Sequence, residues 1–428
     1  MKKIMAVCLL LALLLSACAV SFAGAVGVIS EKSQIGKEYL FSHLTLQVNA
    51  DKEFNRFTIR YSADRPLLGR ITYQVNRKNY TEEFFLEQGE HITFSSLIDG
   101  YVDGKIAKDV KSIELVPCEK AAKSAYFVLE GFKTDKADAL PDPFFLENAR
   151  FKVGILLKWG GTISYIEDKK CPDPKLGNMI NHFDTGRLIQ QSYYGVSADK
   201  YHKASFNNTN WSYNPVQGGD QHGHASKIVD FRYDKKNATV YIKCRPMDWA
   251  QENMPCPAYM ENLYRLTDDA LLVQNRFVNY FEEDHPSKHQ ELPAFYTVSN
   301  LGVFHYYNGK KPWTGDEYIT LKDQPFWANN GKAYHTIEKG NTETWAAWTN
   351  DDGYGIGLYV PGAEIMLAGR FEFNGSKDPK NNATNYVAPL RTMKIENFKP
   401  YEYSYVISAG TVDQMRKVFE KYADVKKK

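Results

Sequence analysis

The stretch FKVGILLKWGGTISYIED, residues 151–168, decides the fold class of this chain of 428 residues. Two apolar segments flank Gly160-Gly161, and glycines between short apolar segments are typical of two β-strands joined by a turn. Similar segments, bounded by Gly, Asp and Asn, recur as far as residue 410. We therefore predict that the chain from residue 145 onward is a large β structure.

The pattern after residue 168 predicts further strands and one helix. The strand candidates are 238–244, 270–280, 295–307, 344–349, 355–360, 364–373 and 401–410. The segment 411–428 begins with Thr411, a good helix cap, and has apolar residues at helical spacing. These apolar residues are Val412, Met415, Val418 and Phe419. The tail is the one helix that we predict.

Residues 24–140 are predicted to form a separate antiparallel β-sandwich. Short segments there alternate apolar and polar residues, without an amphipathic helix of useful length. They are 57–63, 69–76, 80–86, 91–97, 112–118 and 125–132. The pattern looks like a jelly-roll module, although a packing domain without a ligand is an equally good interpretation. The polar segment Lys133–Pro143 is the best linker to the second domain, 145–428.

The first residues have the pattern of an export signal. Met1-Lys2-Lys3 is basic, and the apolar segment Ile4–Leu15 is too short to cross a bilayer. Leu15-Ser16-Ala17-Cys18 then looks like a lipobox, which predicts a signal peptide of residues 1–18 and lipidation of Cys18. Cleavage after Ala23 is the alternative. Both predict an extracytoplasmic protein, periplasmic or at the cell surface, and the lipid anchor at Cys18 is the one membrane contact that we expect if the lipobox is used.

Composition argues against several kinds of partner and cofactor. The formal net charge is +2 and the basic residues are spread along the chain, so nucleic acid is not expected as a partner. The motifs of nucleotide sites, serine-hydrolase elbows and zinc proteases do not occur, and we expect no cofactor. The cysteine spacing gives no zinc knuckle. Cys244 and Cys256 are the best candidates for a disulfide after export.

Both ends of the second domain resemble a known superfamily. WGGTISYIED (159–168) is similar to the start of galactose-mutarotase-like domains, where two glycines precede a strand ending near an acidic residue. YEYSYVISAG (401–410), followed by a helix containing Met415-Arg416, is similar to their close. The resemblance implies a β-supersandwich of two large antiparallel sheets. The predicted fold is thus all-β: an N-terminal antiparallel β-sandwich and a large C-terminal β-supersandwich with a C-terminal helix.

The segment Asn178–Asp220 and a later one around residue 290 contain the residues that could carry chemistry. Amide, imidazole and carboxyl groups mix there with aromatic rings and glycines, which suits a sugar-sized pocket. The candidate catalytic residues are Asp184, His182, Asp220, Glu291 and His222. The candidate substrate-binding residues are Arg187, Gln190, Gln191, Tyr194, Trp211, Asn214, Gln217 and His289. We assign no metal ligand.

Two of these clusters also have a structural interpretation. Asp184 and Arg187 could form an ion pair inside an Asp-Thr-Gly-Arg turn. His222 and His224 would share one side of a strand, where they could bind a metal with Asp220, but no distant ligand completes that set. Acid–base or substrate-binding roles are the better interpretation of the second cluster.

The resemblance also bears on Glu291. Mutarotase-like enzymes use a histidine acid and a carboxylate base, so by resemblance Glu291 would act with His182, His222 or His289. A solvated strand end is the structural alternative for this segment. The histidine motifs of the epimerases have no clean match in the chain, which argues against simple mutarotation.

The same residues suit more than one reaction. Hydrolysis of a glycosidic bond needs two carboxyl groups, and the candidates are Asp184, Asp220 and Glu291. Elimination from a uronate sugar needs groups that neutralise the substrate carboxylate and move its C5 proton. Those candidates are Arg187, Gln190, Asn214, His182 and Tyr194. We predict cleavage of glycosidic bonds in a poly- or oligosaccharide and favour hydrolysis; a non-catalytic glycan-binding lipoprotein and a sugar epimerase are the alternatives.

Overall fold

The structure is a computed structural model that describes residues 35–48, 53–98, 106–201, 204–322, 324–326 and 333–423. The predicted signal peptide and Cys18 lie outside these residues. The described chain is nearly all β with one α-helix at its end, as predicted. Contacts divide it into two compact units. One comprises the described residues up to Ser95 together with Ile106–Lys136, and the other comprises those of Ser96–Lys105 together with Ala137–Lys428.

The described chain begins with eight strands in two four-stranded sheets. The strands are β1 (Glu38–Phe41), β2 (Leu44–Leu46), β3 (Arg56–Ala63), β4 (Leu67–Val75), β5 (Lys78–Leu86), β6 (Gly89–Leu97), β7 (Lys108–Pro117) and β8 (Ala125–Asp135). The strand orders are β1-β8-β3-β6 and β2-β7-β4-β5. Phe57 of one sheet meets Phe84 of the other with ring centroids 5.4 Å apart. Alternating apolar residues have therefore formed the predicted sandwich.

The second unit contains two large sheets. Its strands are β9 (Phe144–Glu147), β10 (Phe151–Leu156), β11 (Thr162–Asp168), β12 (Ile189–Ser192), β13 (Ser205–Phe206), β14 (Thr209–Asn210), β15 (Pro215–Val216), β16 (Lys227–Asp234), β17 (Thr239–Arg245), β18 (Met247–Asp248), β19 (Ala258–Leu266), β20 (Leu271–Asn279), β21 (Lys288–Val298), β22 (Val303–Tyr306), β23 (Ile319–Lys322), β24 (Tyr334–Thr336), β25 (Trp345–Thr349), β26 (Tyr354–Tyr359), β27 (Ile365–Phe371), β28 (Thr384–Met393) and β29 (Pro400–Thr411). One sheet has ten strands, with the main order β24-β27-β28-β21-β12-β11-β10-β9 and with β15 and β18 attached. The other has nine, in the order β16-β17-β19-β20-β29-β26-β25-β22-β23.

The hydrophobic core of this unit lies between the two large sheets. Tyr193 stacks on Phe277 of the nine-stranded sheet with ring centroids 4.0 Å apart. The Gln191 amide, beside Tyr193, donates a hydrogen bond of 2.9 Å to Asn262 Oδ1 across the same space. Stacked rings and this buried hydrogen bond therefore connect the two sheets through the core.

An irregularity interrupts the pairing of β21 with β28. Glu291 pairs with Leu390, but the next regular pair is Phe295 with Val387, so β21 carries one extra residue between them. Such a β-bulge shifts the alternation of side chains by one position. Pro389 lies in β28 at this point and has no N–H to give to the ladder.

The C-terminal helix α1 (Val412–Ala423) has the predicted cap and apolar stripe. Thr411 Oγ1 accepts a hydrogen bond from Gln414 N at 3.3 Å, and Gln414 Oε1 accepts one from Thr411 N at 2.9 Å. These reciprocal bonds form a capping box. Val412, Met415 and Phe419 are buried. Among the described residues we find no helix with the length and apolarity that a bilayer crossing requires.

The structure differs from the sequence analysis in several local features. Strand β8 extends to Asp135, so the predicted linker Lys133–Pro143 begins inside a strand. The predicted strand 295–307 is divided into β21 and β22. Cys244 and Cys256 are buried free thiols, and no disulfide joins them. The long strands β16, β19 and β28 were not predicted. Strand β28 contains Pro389, and because proline is rare inside a central strand, the sequence argued against a strand there.

Candidate active site

The candidate site lies on the face of the ten-stranded sheet that points away from the core. Phe295 and its partner Val387 belong to the core. Side chains alternate along a strand, so the next pair, Tyr296 and Tyr386, points the other way. We call this face the outer face. Pairing and hydrogen bonds place on it also Ser192, Tyr194, His289, Glu291, Leu390 and Thr392.

Glu291 is a partly exposed residue whose carboxyl is surrounded by hydroxyl groups. The Tyr194 hydroxyl donates a hydrogen bond of 3.0 Å to Glu291 Oε1, and Tyr386 and Ser192 also hydrogen-bond to this carboxyl. Burial raises the pKa of Glu291, and the three hydrogen bonds oppose the rise without cancelling it. A carboxyl that keeps its proton to a higher pH than usual is suited to general acid catalysis.

Tyrosine side chains form the wall beside Glu291. The rings of Tyr296 and Tyr386 have centroids 4.5 Å apart, and Phe326 packs edge-on against Tyr386 at 5.4 Å. Burial, together with the Glu291 carboxylate, raises the pKa of Tyr194 and Tyr386 well above the usual tyrosine value. Both hydroxyls therefore keep their protons and act as hydrogen-bond donors.

A buried amide fixes the backbone of Tyr194. Gln290 Oε1 accepts a hydrogen bond from Tyr194 N at 2.6 Å, and Gln290 Nε2 donates one to Tyr194 O at 2.9 Å. Gln290 precedes Glu291 and points to the opposite side of β21. One strand thus supplies both the carboxyl and the clamp that positions its tyrosine partner. Gln290 was not among the predicted site residues.

His289 shares the outer face with Glu291. It is exposed, its Nδ1 lies 3.0 Å from Thr392 Oγ1, and its ring centroid lies 6.2 Å from that of Tyr334. Residues two apart on a strand are separated by about 7 Å along it. Of the three histidines considered as partners of Glu291, His289 is the one that strand pairing places next to it.

Trp211 and Asn214 extend the outer-face site. The Trp211 ring centroid lies 6.2 Å from that of Tyr194, and the indole Nε1 donates a hydrogen bond of 3.0 Å to Asn214 Oδ1. The Asn214 amide donates in turn to the carbonyl oxygen of Tyr193 at 2.7 Å. Asn214 therefore positions Trp211, whose partly exposed ring is available to a ligand.

Asp184 and Arg187 form an ion pair within a turn, which is the structural interpretation given for them in the sequence analysis. Asp184 Oδ1 accepts hydrogen bonds from Gly186 N and Arg187 N, both at 3.0 Å. Arg187 Nε lies 3.4 Å from Asp184 Oδ2, and the guanidinium also donates to Asn382. These contacts stabilise the loop, so the geometry does not favour a direct role in catalysis for either group.

The three candidate glutamines are buried framework residues. The Gln190 amide bonds Thr185 O, Arg187 O and Gly218 N, which holds two loops together. Gln217 Nε2 donates to Gly160 O at 3.1 Å, and Gln217 Oε1 accepts from Gln191 N at 3.1 Å. The polar atoms of Gln190, Gln191 and Gln217 bond other protein groups, so these residues stabilise the loops and strands beneath the site.

Asp220 organises a turn, and the predicted strand through His222 and His224 is not formed. The fully buried Asp220 carboxylate accepts hydrogen bonds from His222 N, His224 N and Asn253 N at 2.7–2.9 Å. His224 Nδ1 lies 2.9 Å from the same carboxylate, whereas the His222 side chain is exposed. Among the described residues no group of His, Cys, Asp and Glu is arranged to hold a metal ion.

His182 lies in a different environment from Glu291. Its Nδ1 lies 3.0 Å from Ser164 O, and its backbone N–H donates a hydrogen bond of 2.8 Å to Pro379 O. Burial lowers the pKa of the His182 imidazole, with the neighbouring Lys380 adding to the fall and the Ser164 carbonyl opposing it. The geometry therefore indicates a structural role for His182, as a neutral imidazole that donates a hydrogen bond to the Ser164 carbonyl.

Two aromatic residues of the site region were missed. Tyr386 lies on β28, the strand disguised by Pro389. Trp249 packs over the Asp184–Arg187 turn, where a Cβ at Gly186 would meet its ring at 2.3 Å. Gly186 is therefore required by this close approach. The glycine in this polar turn indicated a close approach by another group, but the sequence could not show that the group is Trp249.

We expect Tyr194→Phe to shift the alkaline limb of the pH–rate profile to higher pH. The Tyr194 hydrogen bond lowers the pKa of Glu291, so its loss should let Glu291 keep its proton further into the alkaline range. The measurement is kcat/KM against pH for both proteins. Tyr233→Phe, on the exposed ring of β16, is the matched control and should leave the profile unchanged. A shift to lower pH in Tyr194→Phe would contradict this role.

Comparison with solved structures finds galactose-mutarotase-like proteins and glycoside hydrolases. A galactose mutarotase related enzyme from Lactobacillus acidophilus is 12% identical, with a TM-score of 0.40, over 62% of this chain and 96% of that one. A galactose mutarotase-like protein from Clostridium acetobutylicum is 9% identical, with a TM-score of 0.33, over 63% and 95%. An α-galactosidase from Geobacillus stearothermophilus is 10% identical, with a TM-score of 0.36, over 63% and 40%.

These neighbours are the kind of protein that the two ends of the second domain resemble. No family model and no curated protein matches the sequence. At this identity and these TM-scores the neighbours assign neither substrate nor reaction to this chain. The functional argument therefore rests on the outer-face residues.

Proposed function

We propose that this protein is a carbohydrate-active enzyme in which Glu291 donates a proton to a glycosidic oxygen. The observation that carries the proposal is a carboxyl with a raised pKa, on a partly exposed residue and hydrogen-bonded to tyrosine hydroxyls on the outer face. The half-buried ring of Trp211 adds an apolar surface against which the C–H face of a sugar can pack. The outer face thus combines a proton donor, hydrogen-bond donors and an aromatic surface, which together suit binding and protonation of a sugar.

The proposed reaction is hydrolysis in which the His289 imidazole takes the place of the second carboxyl group as the base. Glu291 gives its proton to the bridging oxygen as the bond from that oxygen to the anomeric carbon breaks. A water molecule adds to the anomeric carbon and gives its proton to the His289 imidazole, and solvent exchange returns a proton to Glu291. The hydroxyls of Tyr194 and Tyr386 stabilise the carboxylate that forms, because both remain hydrogen-bond donors.

Anomer interconversion of a free sugar is a second candidate, and one observation favours it. Asp184 and Asp220, the carboxyl groups expected to complete a hydrolytic pair, are engaged by backbone N–H groups of their own and neighbouring loops. The Glu291 carboxyl and the His289 imidazole remain as neighbours on the outer face of β21, and they are one of the pairs that the epimerase resemblance implies. Binding without turnover is the third outcome that an assay must separate.

A panel of neutral and uronate poly- and oligosaccharides tests the proposal. Hydrolysis releases reducing ends without ultraviolet absorbance, whereas elimination leaves an unsaturated product that absorbs. Polarimetry on freshly dissolved aldoses detects anomer interconversion. We expect reducing ends from wild-type protein. Absorbance at the same rate would overturn hydrolysis in favour of elimination, and binding without any product would overturn the enzyme.

We also propose that the protein is exported and lipidated at Cys18. The lipobox-like Leu15-Ser16-Ala17-Cys18 after a short apolar segment supports this. In a bacterial host, wild-type protein should partition into the detergent phase of Triton X-114, and Cys18→Ser should move it to the aqueous phase. Cys118→Ser is the control and should stay with the detergent. Aqueous partitioning of the wild type would exclude the anchor.

A further inference from the structure

A polar cleft of about 680 Å³ lies next to the aromatic side chains that lead away from Glu291. It is open to solvent, and no part of it is needed by the reaction proposed above. Its polar lining comprises Ser205, Asn207, Asn208, Gln221, His222, Gln251 and Glu252. The amide and imidazole groups among them can each donate and accept hydrogen bonds, as sugar hydroxyls require.

The walls of the cleft are held in place by specific contacts. Asn207 and Asn208 have φ values of 48° and 59° in the two-residue turn between β13 and β14, a conformation that asparagine tolerates well. Gln221 Nε2 donates to Ser205 O on this hairpin at 2.8 Å. The Asp220 carboxylate joins the turn at His222 to the 250–253 loop. The cleft is therefore formed before any ligand binds, which lowers the entropy cost of binding.

A continuous series of aromatic rings connects the outer-face site to this cleft. From Tyr194 the series runs to Trp211, then to Phe206 of the hairpin, and then to Trp249. Successive ring centroids are 6.2, 5.2 and 5.4 Å apart. All four side chains are partly exposed. The series therefore offers a contiguous, partly exposed apolar surface between the two regions, a feature that ligand-binding grooves share.

We propose that this aromatic series and the cleft form additional subsites, so that the substrate is a neutral oligosaccharide of at least three sugar units. One unit would occupy the Glu291 site, and the following units would lie along the rings with their hydroxyls toward Asn207, Asn208 and His222. The described lining has the Glu252 carboxylate and no lysine or arginine, so it disfavours an acidic sugar chain. This inference rests on the proposed function and adds chain length and charge to it.

The test is the dependence of affinity on chain length. Malto-, cello- and galacto-oligosaccharides of two to six units, with oligogalacturonides for comparison, are titrated calorimetrically into Glu291→Gln, which binds without the proposed proton donor. For the series that binds, we expect affinity to rise at least about tenfold between two and four units. Equal affinity for all lengths, or tighter binding of oligogalacturonides, would overturn the inference.

Two variants in the same background separate the subsites from the fold. Trp249→Ala should abolish the gain between two and four units. Asn208→Gly keeps the backbone conformation of the turn but removes the amide, and it should lower affinity for the longer chains severalfold. Tyr233→Ala, an exposed ring on β16, should retain the full gain. A full gain in both Trp249→Ala and Asn208→Gly refutes the subsites.

The outcome is distinguishable from failure of the proposed function. Turnover is measured separately with wild-type protein on the same oligosaccharides. Length-dependent binding without turnover retains the subsites and rejects the enzyme. Turnover that does not change with chain length retains the enzyme and rejects the subsites.

Discussion

Replacing Glu291 with glutamine should lower kcat by about 10²–10⁴-fold, the usual contribution of a positioned acid or base. Glutamine keeps the shape and can still accept the hydrogen bond from Tyr194, but it has no proton of comparable acidity to give. The measurement is the initial rate on the substrate that the carbohydrate panel identifies. Glu402→Gln, at an exposed carboxyl on β29, is the matched control and should retain wild-type turnover.

The Glu291→Gln variant should also change how the free energy of unfolding depends on pH. Because the pKa of Glu291 is raised on folding, the folded protein binds its proton more tightly than the unfolded chain does. The stabilisation is present below the unfolded pKa of glutamate and is lost as pH rises through the folded pKa. The free energy of unfolding of the wild type should therefore fall over this range relative to Glu291→Gln. An unchanged difference between the two proteins from about pH 4 to about pH 8 would contradict the burial argument.

Replacing Arg416 with methionine should destabilise the protein by about 3–5 kcal/mol, because it leaves a buried carboxylate without its counter-ion. Glu343 is fully buried and is paired with the Arg416 guanidinium, whose Nη2 lies 3.0 Å from Glu343 Oε2. The only other groups we find bonding that carboxylate in the described chain are the N–H groups of Trp313 and Trp345. Urea unfolding at neutral pH measures the loss.

Lys417→Met is the control for that measurement. Lys417 follows Arg416 on α1 but is exposed, so the same change of charge and shape should alter the free energy of unfolding by no more than about 0.5 kcal/mol. Equal losses in the two variants would show that the helix face, rather than the ion pair with Glu343, determines the effect.

Much of the fold could be predicted because it depends on local patterns. Gly160-Gly161 between apolar segments marked the hairpin of β10 and β11 in the ten-stranded sheet, and Thr411 marked the start of the helix. Alternation marked the strands of the first sandwich. Strand β28 was not predicted because it contains Pro389, and proline is rare inside a central strand. The bulge in the neighbouring strand β21 lies opposite Pro389 and accommodates it.

The candidate site was less predictable, because a polar residue type does not disclose its partners. The segment Asn178–Asp220 was rich in amides, but Gln190, Gln191 and Gln217 bond the protein interior. Tyr194 and Glu291 are 97 residues apart and meet only through strand pairing. Composition could therefore locate the right sheet region without separating framework from ligand-facing groups.

The bulge in β21 determines which face of the sheet the Glu291 side chain points to. Counted back from Phe295 by simple alternation, position 291 would face the hydrophobic interior, where an ionised carboxyl is unfavourable. The extra residue between Glu291 and Phe295 reverses that direction for the first part of the strand alone. Perfect pairing would give this strand a more regular ladder and, at the same time, remove its acid from the surface. The bulge thus places the Glu291 side chain on the outer face, where it can contact a ligand.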